Sequence, residues 1–471
     1  MKVRPGPVLI PTGSESDRGD AGVQVTGANR GRASRRPHRS QLHFLVPLAA
    51  IALLAIGLRL IYTFTVGEHV KEGLDTIFYT FVGGELARHQ GYSDPGLLFN
   101  HGITKPTANF PPLYPLFIAG LYKAHITTFR GYQVAGAICG GLSVALTGLL
   151  GRRITDREAV GWIGAACVAL CPALIASDGS AMAETLSVPL LVGMLLAVSW
   201  ASSSPAFSRW IVVGLLAGLE VLTRSEEVLV ALALAPLAIL VIPSWSVVRR
   251  LGAVAIVLIV AGGVVSPWII RDVVVFDPPI LLSTNGAKTL AGANCNATYR
   301  GPEIGYWDFN CLDTQKLDAR GEAEFASALD HKGADYIRQN ASRAPLVAVV
   351  RVLRAWGLYK PTQEAHLEAV ETRSIGWGEL ATPVSLVLLI LGSVGIFAVR
   401  RNRTALVVLG GPVLIATLTV ALTYGNQRFI LGALPPLCIG SAIAVLAAVD
   451  AIVHRGGRGV SHEDALPSSS P

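Results

Sequence analysis

Charge is scarce in this chain. Asp, Glu, Lys and Arg make up only 15% of its 471 residues, against 51% hydrophobic, too little charge to cover a soluble domain of this length. There is also no phosphate-cradling glycine loop, no P-loop and no metal-ligand spacing, which argues against a nucleotide-driven pump. No cofactor is identified, and the sequence leaves a divalent-metal requirement open. The net charge of +7 comes without an aromatic-plus-basic module, so it does not indicate nucleic acid. Four of the six cysteines, Cys139, Cys167, Cys171 and Cys438, fall in apolar segments, where a thiol behaves as a small hydrophobe.

What the chain has instead is apolar runs of about 20 residues, each long enough to cross roughly 30 Å of hydrocarbon as a helix. The fold class is an all-α polytopic membrane protein, with about ten transmembrane helices and interfacial helices in two long loops. The spans are predicted near 43–65, 129–150, 159–177, 181–200, 208–223, 226–243, 251–270, 380–399, 405–423 and 430–450. Basic clusters occur in the N-terminal stretch (Arg30, Arg32, Arg35, Arg36, Arg39), at Arg152-Arg153, at Arg249-Arg250, around Arg400-Arg401 and at His454-Arg455. With ten spans all of these fall on one side, which the positive-inside rule makes cytoplasmic. The reading is a multi-pass protein of the cell membrane with both termini inside. Residues 1–42, rich in Gly, Pro, Ser and Arg, read as a disordered tail, 43–450 as the membrane domain and 451–471 as a second tail. The first apolar run is too long for a signal-peptide core and no small-x-small site follows it, so it is expected to remain as an anchor.

The same parity puts the long loops 66–128 and 271–379 on the outer face, with the turn from Asp178 to Glu184, "LTRSEE" at 222–227 and "YGNQRF" at 424–429. The outer side therefore gathers most of the unusual charges. Within these loops, Phe78, Phe81, Val82 and Leu86 share one side of a helix, and so do Val347, Val350, Leu353 and Trp356, interleaved with Arg351 and Arg354. The second pattern is that of a basic amphipathic helix in the headgroup layer. The stretch 109–126, opened by prolines, reads as juxtamembrane or re-entrant rather than spanning. Cys295 and Cys311 lie in the large outer loop, in an oxidising compartment, and are expected to form a disulfide.

Four outer-face motifs in order carry a family likeness. They are Asp75 followed by "GGELARHQGY", then "NFPPLYPLFIAGLY", "RVLRAWGLYKPTQ" and "YGNQRF". In order, spacing and common membrane face they resemble the GT-C superfamily of membrane glycosyltransferases, in particular the protein O-mannosyltransferases and the lipid A aminoarabinose transferase, and the loop around Cys295 resembles actinobacterial members. The resemblance implies a polyprenyl-phosphate sugar donor and transfer on the outer face to a lipid, glycan or protein acceptor. It also implies an Asp-Glu pair in the first loop, whereas here Asp75 is followed by Thr76.

Glycosyl transfer to a hydroxyl needs a base, and Asp75 at a helix start is the expected one, with Glu72 next. As a residue at a helix start Asp75 could equally be a helix cap. The lipid phosphate that leaves needs cations at headgroup depth. Arg428, with Tyr424 beside it, is the first expectation, and Arg351, Arg354, Lys360 and Lys105 are the second; each could instead snorkel to lipid headgroups. Glu226, paired with Arg224, and His101 are further candidates for substrate contact. Tyr306, Trp307 and Trp356 read as interfacial anchors rather than sugar platforms. The competing readings are a lipid-linked sugar transporter or flippase and a non-catalytic partner in envelope assembly. A transporter would place its polar residues at mid-bilayer, whereas here they gather at the outer ends of the spans.

Overall fold

The computed structural model describes residues 37–204, 206–312 and 321–460. Residues 1–36 and 461–471 of the expected tails lie outside the described residues, with Arg30, Arg32, Arg35 and Arg36, as do the side chains of Arg39, His454 and Arg455. Residues from Phe44 onward form one compact unit.

Among the described residues there are helices and one isolated antiparallel bridge, Ser93 to Pro106, but no strand. A long first helix, α1 (Pro37–Thr65), leads into α2 (Leu74–Ala87), α3 (Pro95–His101) and α4 (Leu113–Lys123). Then come α5 (Phe129–Thr155), α6 (Glu158–Leu170), α7 (Pro172–Asp178), α8 (Glu184–Ser202), α9 (Ser208–Thr223), α10 (Ala235–Leu240) and α11 (Val247–Val275). The second loop holds α12 (Asn285–Ala293), α13 (Asn296–Arg300), α14 (Glu322–Gln339), α15 (Ala344–Ala355) and α16 (Pro361–Glu368). Three long helices follow, α17 (Ile375–Ala398), α18 (Arg403–Leu422) and α19 (Leu434–Val460).

Seven of these helices are long and apolar enough to cross a bilayer, or eight if α6 and α7 form one span bent by 61°. That is fewer than the ten that hydropathy predicts. The bend falls at Cys171, held in an extended conformation with ψ 113° because the residue before a proline avoids the helical region. The other two predicted spans are 208–223 and 226–243. Helix α9 has 16 residues, about 24 Å of helix, short of the hydrocarbon core. The next stretch is divided into a 3-10 turn at Ser225–Glu227, a π turn at Val230–Leu234 and α10 with Pro236 in its first turn.

The helix ends nonetheless gather at two poles. At one, Arg153 bonds the Ser203 hydroxyl, Arg157 pairs with Asp450, and Arg250 donates to the carbonyls of Leu240 and Pro243. The other holds residues 73–76, 184, 224–226, 371 and 426–428, linked side chain to side chain. Sequences with opposite needs make the two ends: exposed arginines at the first, buried carboxylates and guanidiniums at the second.

Two packing units hold the second pole in shape. In the first loop α2 buries Phe78, Tyr79 and Val82 against α4, with ring pairs Phe78–Phe110 at 5.2 Å and Tyr79–Tyr114 at 5.1 Å. Helix α4 has 11 residues, about 16 Å, and does not span. In the second loop α12 packs on α14 around Ala291, Leu312, Phe325 and Leu329, and a disulfide joins Cys295 to Cys311. Helix α15 corrects an expectation. Its arginines do not face a headgroup layer, for Arg351 and Arg354 lie on the buried side with Val347 and Val350, towards α18.

Candidate active site

Helix α2 starts at Gly73, which is extended (φ −79°, ψ 165°) and offers no side-chain cap. Its amide donates to Thr372 Oγ1 at 2.7 Å. A Cβ at Gly73 would collide with the Val370 carbonyl, so glycine lets the start of α2 lie directly on residues 370–372. Asp75, one residue into the helix, is thereby released from the capping role. Thr76, where the family pattern has a second acid, is fully buried, its hydroxyl 3.1 Å from the Ser180 carbonyl and 2.8 Å from Thr372 Oγ1. It ties α2 to two other loops.

The Asp75 side chain is 30% exposed, and its Oδ2 accepts a bond from Arg428 Nη1 at 3.0 Å. Arg428 is set by the "YGNQRF" turn. Gly425 donates its amide to the Gly305 carbonyl at 2.8 Å, in a place where a Cβ would press on the Arg351 carbonyl and the Arg354 side chain. Asn426 Oδ1 then caps the following 3-10 helix by accepting from the Arg428 amide at 2.8 Å. The Asn426 amide donates to Glu371 Oε1 at 3.0 Å and to the Tyr306 hydroxyl at 3.3 Å.

Arg428 is a hub. Its Nε donates to Glu184 Oε1 at 2.6 Å, and its Nη1 to Asp75 and, at 3.3 Å, to Glu371. Its Nη2 has no partner among the described residues. Glu184 is buried, and the same Oε1 accepts from Arg224 Nη1 at 2.7 Å. Arg224 in turn grips Glu226 Oε1 through Nε at 2.9 Å and Nη2 at 2.6 Å. Charge-assisted bonds of this length are the strong kind, and together they join five segments remote in sequence. A cleft of about 400 Å³ opens beside the hub, lined by Arg428, Tyr424, Glu226, Asn285, Asp330 and Phe429 among others. Tyr424 stacks edge-on to Phe429 and Tyr306, at 5.0 and 5.7 Å, and burial, with Glu371 nearby, pushes its phenol pKa upward.

Behind the hub, Glu368 Oε1 accepts from the Gln427 amide at 2.6 Å and its Oε2 from Arg373 at 3.2 Å. Burial, against the pull of Arg373 and with Glu371 adding to it, raises its carboxyl to about 7.

The sequence candidates separate on these contacts. Asp75, Arg428, Glu226 and Tyr424 come together. Arg351 is engaged with the carbonyls of Ala293 and Ala421 and with Asn294 Oδ1, and burial lowers its pKa to about 10. Arg354 is engaged with the Ile304 carbonyl, Glu364 and Gln363. Lys360 donates to the Pro302 carbonyl. Lys105 and His101 are exposed on the first loop and do not line the cleft. Trp356 is buried and donates to Thr417, and Trp307 donates to the Lys288 carbonyl, so neither is a simple interfacial anchor. Glu184, Glu371 and Asn426 are the hub members that residue-by-residue reading leaves out. Their signal is weak: two acids at the edges of apolar runs, and an Asn two positions before an Arg. Among the described residues no three His, Cys, Asp or Glu side chains are grouped to hold a metal ion.

Residues 109–270, from the end of the first loop through most of α11, match the family model for dolichyl-phosphate-mannose-protein mannosyltransferase. No curated protein matches the chain in sequence. Among solved structures, the archaeal oligosaccharyltransferase AglB from Archaeoglobus fulgidus, in complex with an inhibitory peptide and a dolichol-phosphate, is similar over 92% of this chain at 17% identity and a TM-score of 0.55. The chain spans 53% of that protein's length. The same archaeal enzyme tethered to an acceptor peptide aligns over 91% of this chain and 52% of its own, at 15% identity and TM-score 0.52. ArnT from Cupriavidus metallidurans bound to undecaprenyl phosphate aligns over 88% of this chain and 80% of its own, at 14% identity and TM-score 0.37. The chain is thus a multi-pass membrane protein that shares the fold of the archaeal oligosaccharyltransferase AglB over 92% of its length.

Proposed function

We propose that this chain transfers a sugar from a polyprenyl-phosphate donor to an acceptor hydroxyl at the outer face of the membrane, with Asp75 as general base. The observation that carries the reading is the hub itself: a part-exposed carboxylate held through one oxygen by an arginine that also faces a cleft. Asp75 Oδ1 would take the hydroxyl proton as the acceptor oxygen bonds to the anomeric carbon. The bond from that carbon to the lipid phosphate breaks, and the electron pair leaves on the phosphate. Arg428 Nη2, still without a partner among the described residues, would donate to that phosphate. Glu184 and Glu371 keep the guanidinium in one orientation, so the donor and the base are set by the same fork. The family model named for dolichyl-phosphate-mannose, and a neighbour holding dolichol-phosphate, support a lipid-linked donor.

The experiment is transfer of labelled sugar from synthetic polyprenyl-phosphate sugars to membrane acceptors by the purified chain. Transfer with release of the lipid phosphate is the expected result, and none with any donor tested would count against the reading. The outer-face assignment rests on the basic clusters. A Lys105→Cys variant should react with impermeant thiol reagents in intact cells, and protection there would reverse the orientation.

A further inference from the structure

A second cleft, about 600 Å³, opens between the end of α1 and the start of α17. It shares no lining residue with the Tyr424 cleft. His69, Lys71 and Arg373 line it, and no acidic side chain does. In a molecule whose hub sets four carboxylates around two guanidiniums, a wall of one sign calls for an explanation.

Three features turn the wall into an anion site. Arg373 has a side chain only 8% exposed and gives Nη1 to Glu368, while Nε and Nη2 have no partner among the described residues. Buried donors left unpaired are costly, and a ligand that accepts from them is favoured. The N-terminus of α17 lines the same cleft at Ser374, Ile375 and Gly376. Its first intrahelical acceptor is the Ser374 carbonyl, bonded by the Gly378 amide, and Ser374 supplies no side-chain cap. The amides at the head of a 24-residue helix therefore add their partial positive charge to that of Lys71 and Arg373.

The surroundings indicate where the anion comes from. Helices α1 and α17 both qualify as membrane spans, so the cleft sits where two spans emerge. Around it Phe64, Ile375, Val370 and Leu74 are exposed by 48, 38, 71 and 73%, a set of lips suited to acyl chains rather than water. Lys71 stands four residues before Asp75, so their Cα atoms are at most about 14 Å apart. Arg373 stands two residues after Glu371, which shares Arg428 with Asp75.

We propose that this cleft binds the phosphate of a lipid whose headgroup also carries hydroxyls, and that such an anionic lipid is the acceptor class. The acceptor half of this statement rests on the transfer reaction proposed above, and the binding half does not. An anchored phosphate in the second cleft would present neighbouring hydroxyls towards Asp75, while the donor phosphate occupies the cleft at Arg428.

The test is calorimetric titration of the full chain in neutral detergent with short-chain phosphatidylglycerol, short-chain phosphatidylcholine and inorganic phosphate. Wild type should bind phosphatidylglycerol at least tenfold more tightly than either of the others. Lys71→Glu, at an exposed position, should weaken that binding at least tenfold without changing the melting temperature. Unchanged affinity in Lys71→Glu overturns the site, and equal affinity for inorganic phosphate overturns its assignment to a lipid. Loss of binding in Lys71→Glu from a chain that transfers no sugar keeps the site while the transfer reading falls. If transfer is seen and Lys71→Glu leaves KM for a hydroxylated anionic lipid acceptor unchanged, the acceptor assignment is overturned.

Discussion

Arg354 and Arg428 look alike in the sequence: each is an arginine near the end of an apolar stretch in an outer-face motif. In the structure they differ in what their guanidiniums have left over. Arg354 gives all three nitrogens to the protein, one each to Ile304, Glu364 and Gln363, with both partners of the Glu364 pair fully buried. Arg428, which lines a cleft, engages two nitrogens with three carboxylates and leaves the third without a partner among the described residues. A buried pair closed on itself holds loops together, whereas a pair with one open donor can also meet a ligand. Unused hydrogen-bonding capacity, more than charge, separates a structural arginine from a binding one.

The comparison is broken most easily at Arg354. Replacing it with Ala strands Glu364 in the interior, and losses of about 3–5 kcal/mol are typical when one partner of a buried pair is removed. The melting temperature should fall steeply, with turnover per folded molecule changed little; a well-folded Arg354→Ala protein lacking activity would instead place this arginine in the chemistry. Arg428→Lys should act the other way. It keeps a charge but loses the planar fork that orients Asp75, Glu184 and Glu371, so transfer should fall by roughly tenfold, about 1.4 kcal/mol, with KM for the donor raised. Full activity in Arg428→Lys would reduce the hub to a point charge.

The smallest expected effect sharpens the contrast through pH. Glu368 has a carboxyl raised to about 7 in the folded chain, against an ordinary value of 4.5. Its stabilising contribution is therefore fully present below about 4.5 and is lost as pH rises through about 7, because the unfolded chain ionises first. Glu368→Gln should remove that part of the stability slope between these pH values. Melting curves of wild type and Glu368→Gln that stay parallel across the window would show that Glu368 does not titrate there.

Much of this fold is legible in the sequence, because a bilayer allows only backbone that satisfies its own hydrogen bonds. Seven of the ten predicted spans are single long helices, since apolar length alone decides them. The other three depart from a single long helix at particular residues. Pro172 bends its segment by 61°, a π turn at Val230–Leu234 interrupts the next, and α9 has only 16 residues. Parity put 178–184, 222–227 and 424–429 on one face, and the structure joins Glu184, Arg224, Glu226 and Arg428 through side chains. Periodicity misled at α15, where it could say that Arg351 and Arg354 alternate with apolar residues but not that carbonyls of remote turns wait beneath them. Glu371 left only a weak trace, an acid at the edge of an apolar run. It reaches Arg428 only because Gly73 and Gly425 let three backbones approach closely, and such approach leaves no periodic trace.

The central claim is that Asp75 accepts the proton while Arg428 holds it in place, and the most direct measurement is turnover of purified Asp75→Asn beside its melting temperature. Gly73 already occupies the cap position, and Asn preserves the size of the side chain, so stability should move little. Loss of the base should cut transfer by about 10² or more. Full turnover in a stable Asp75→Asn protein would contradict the account and move the base to another carboxylate, Glu72 first.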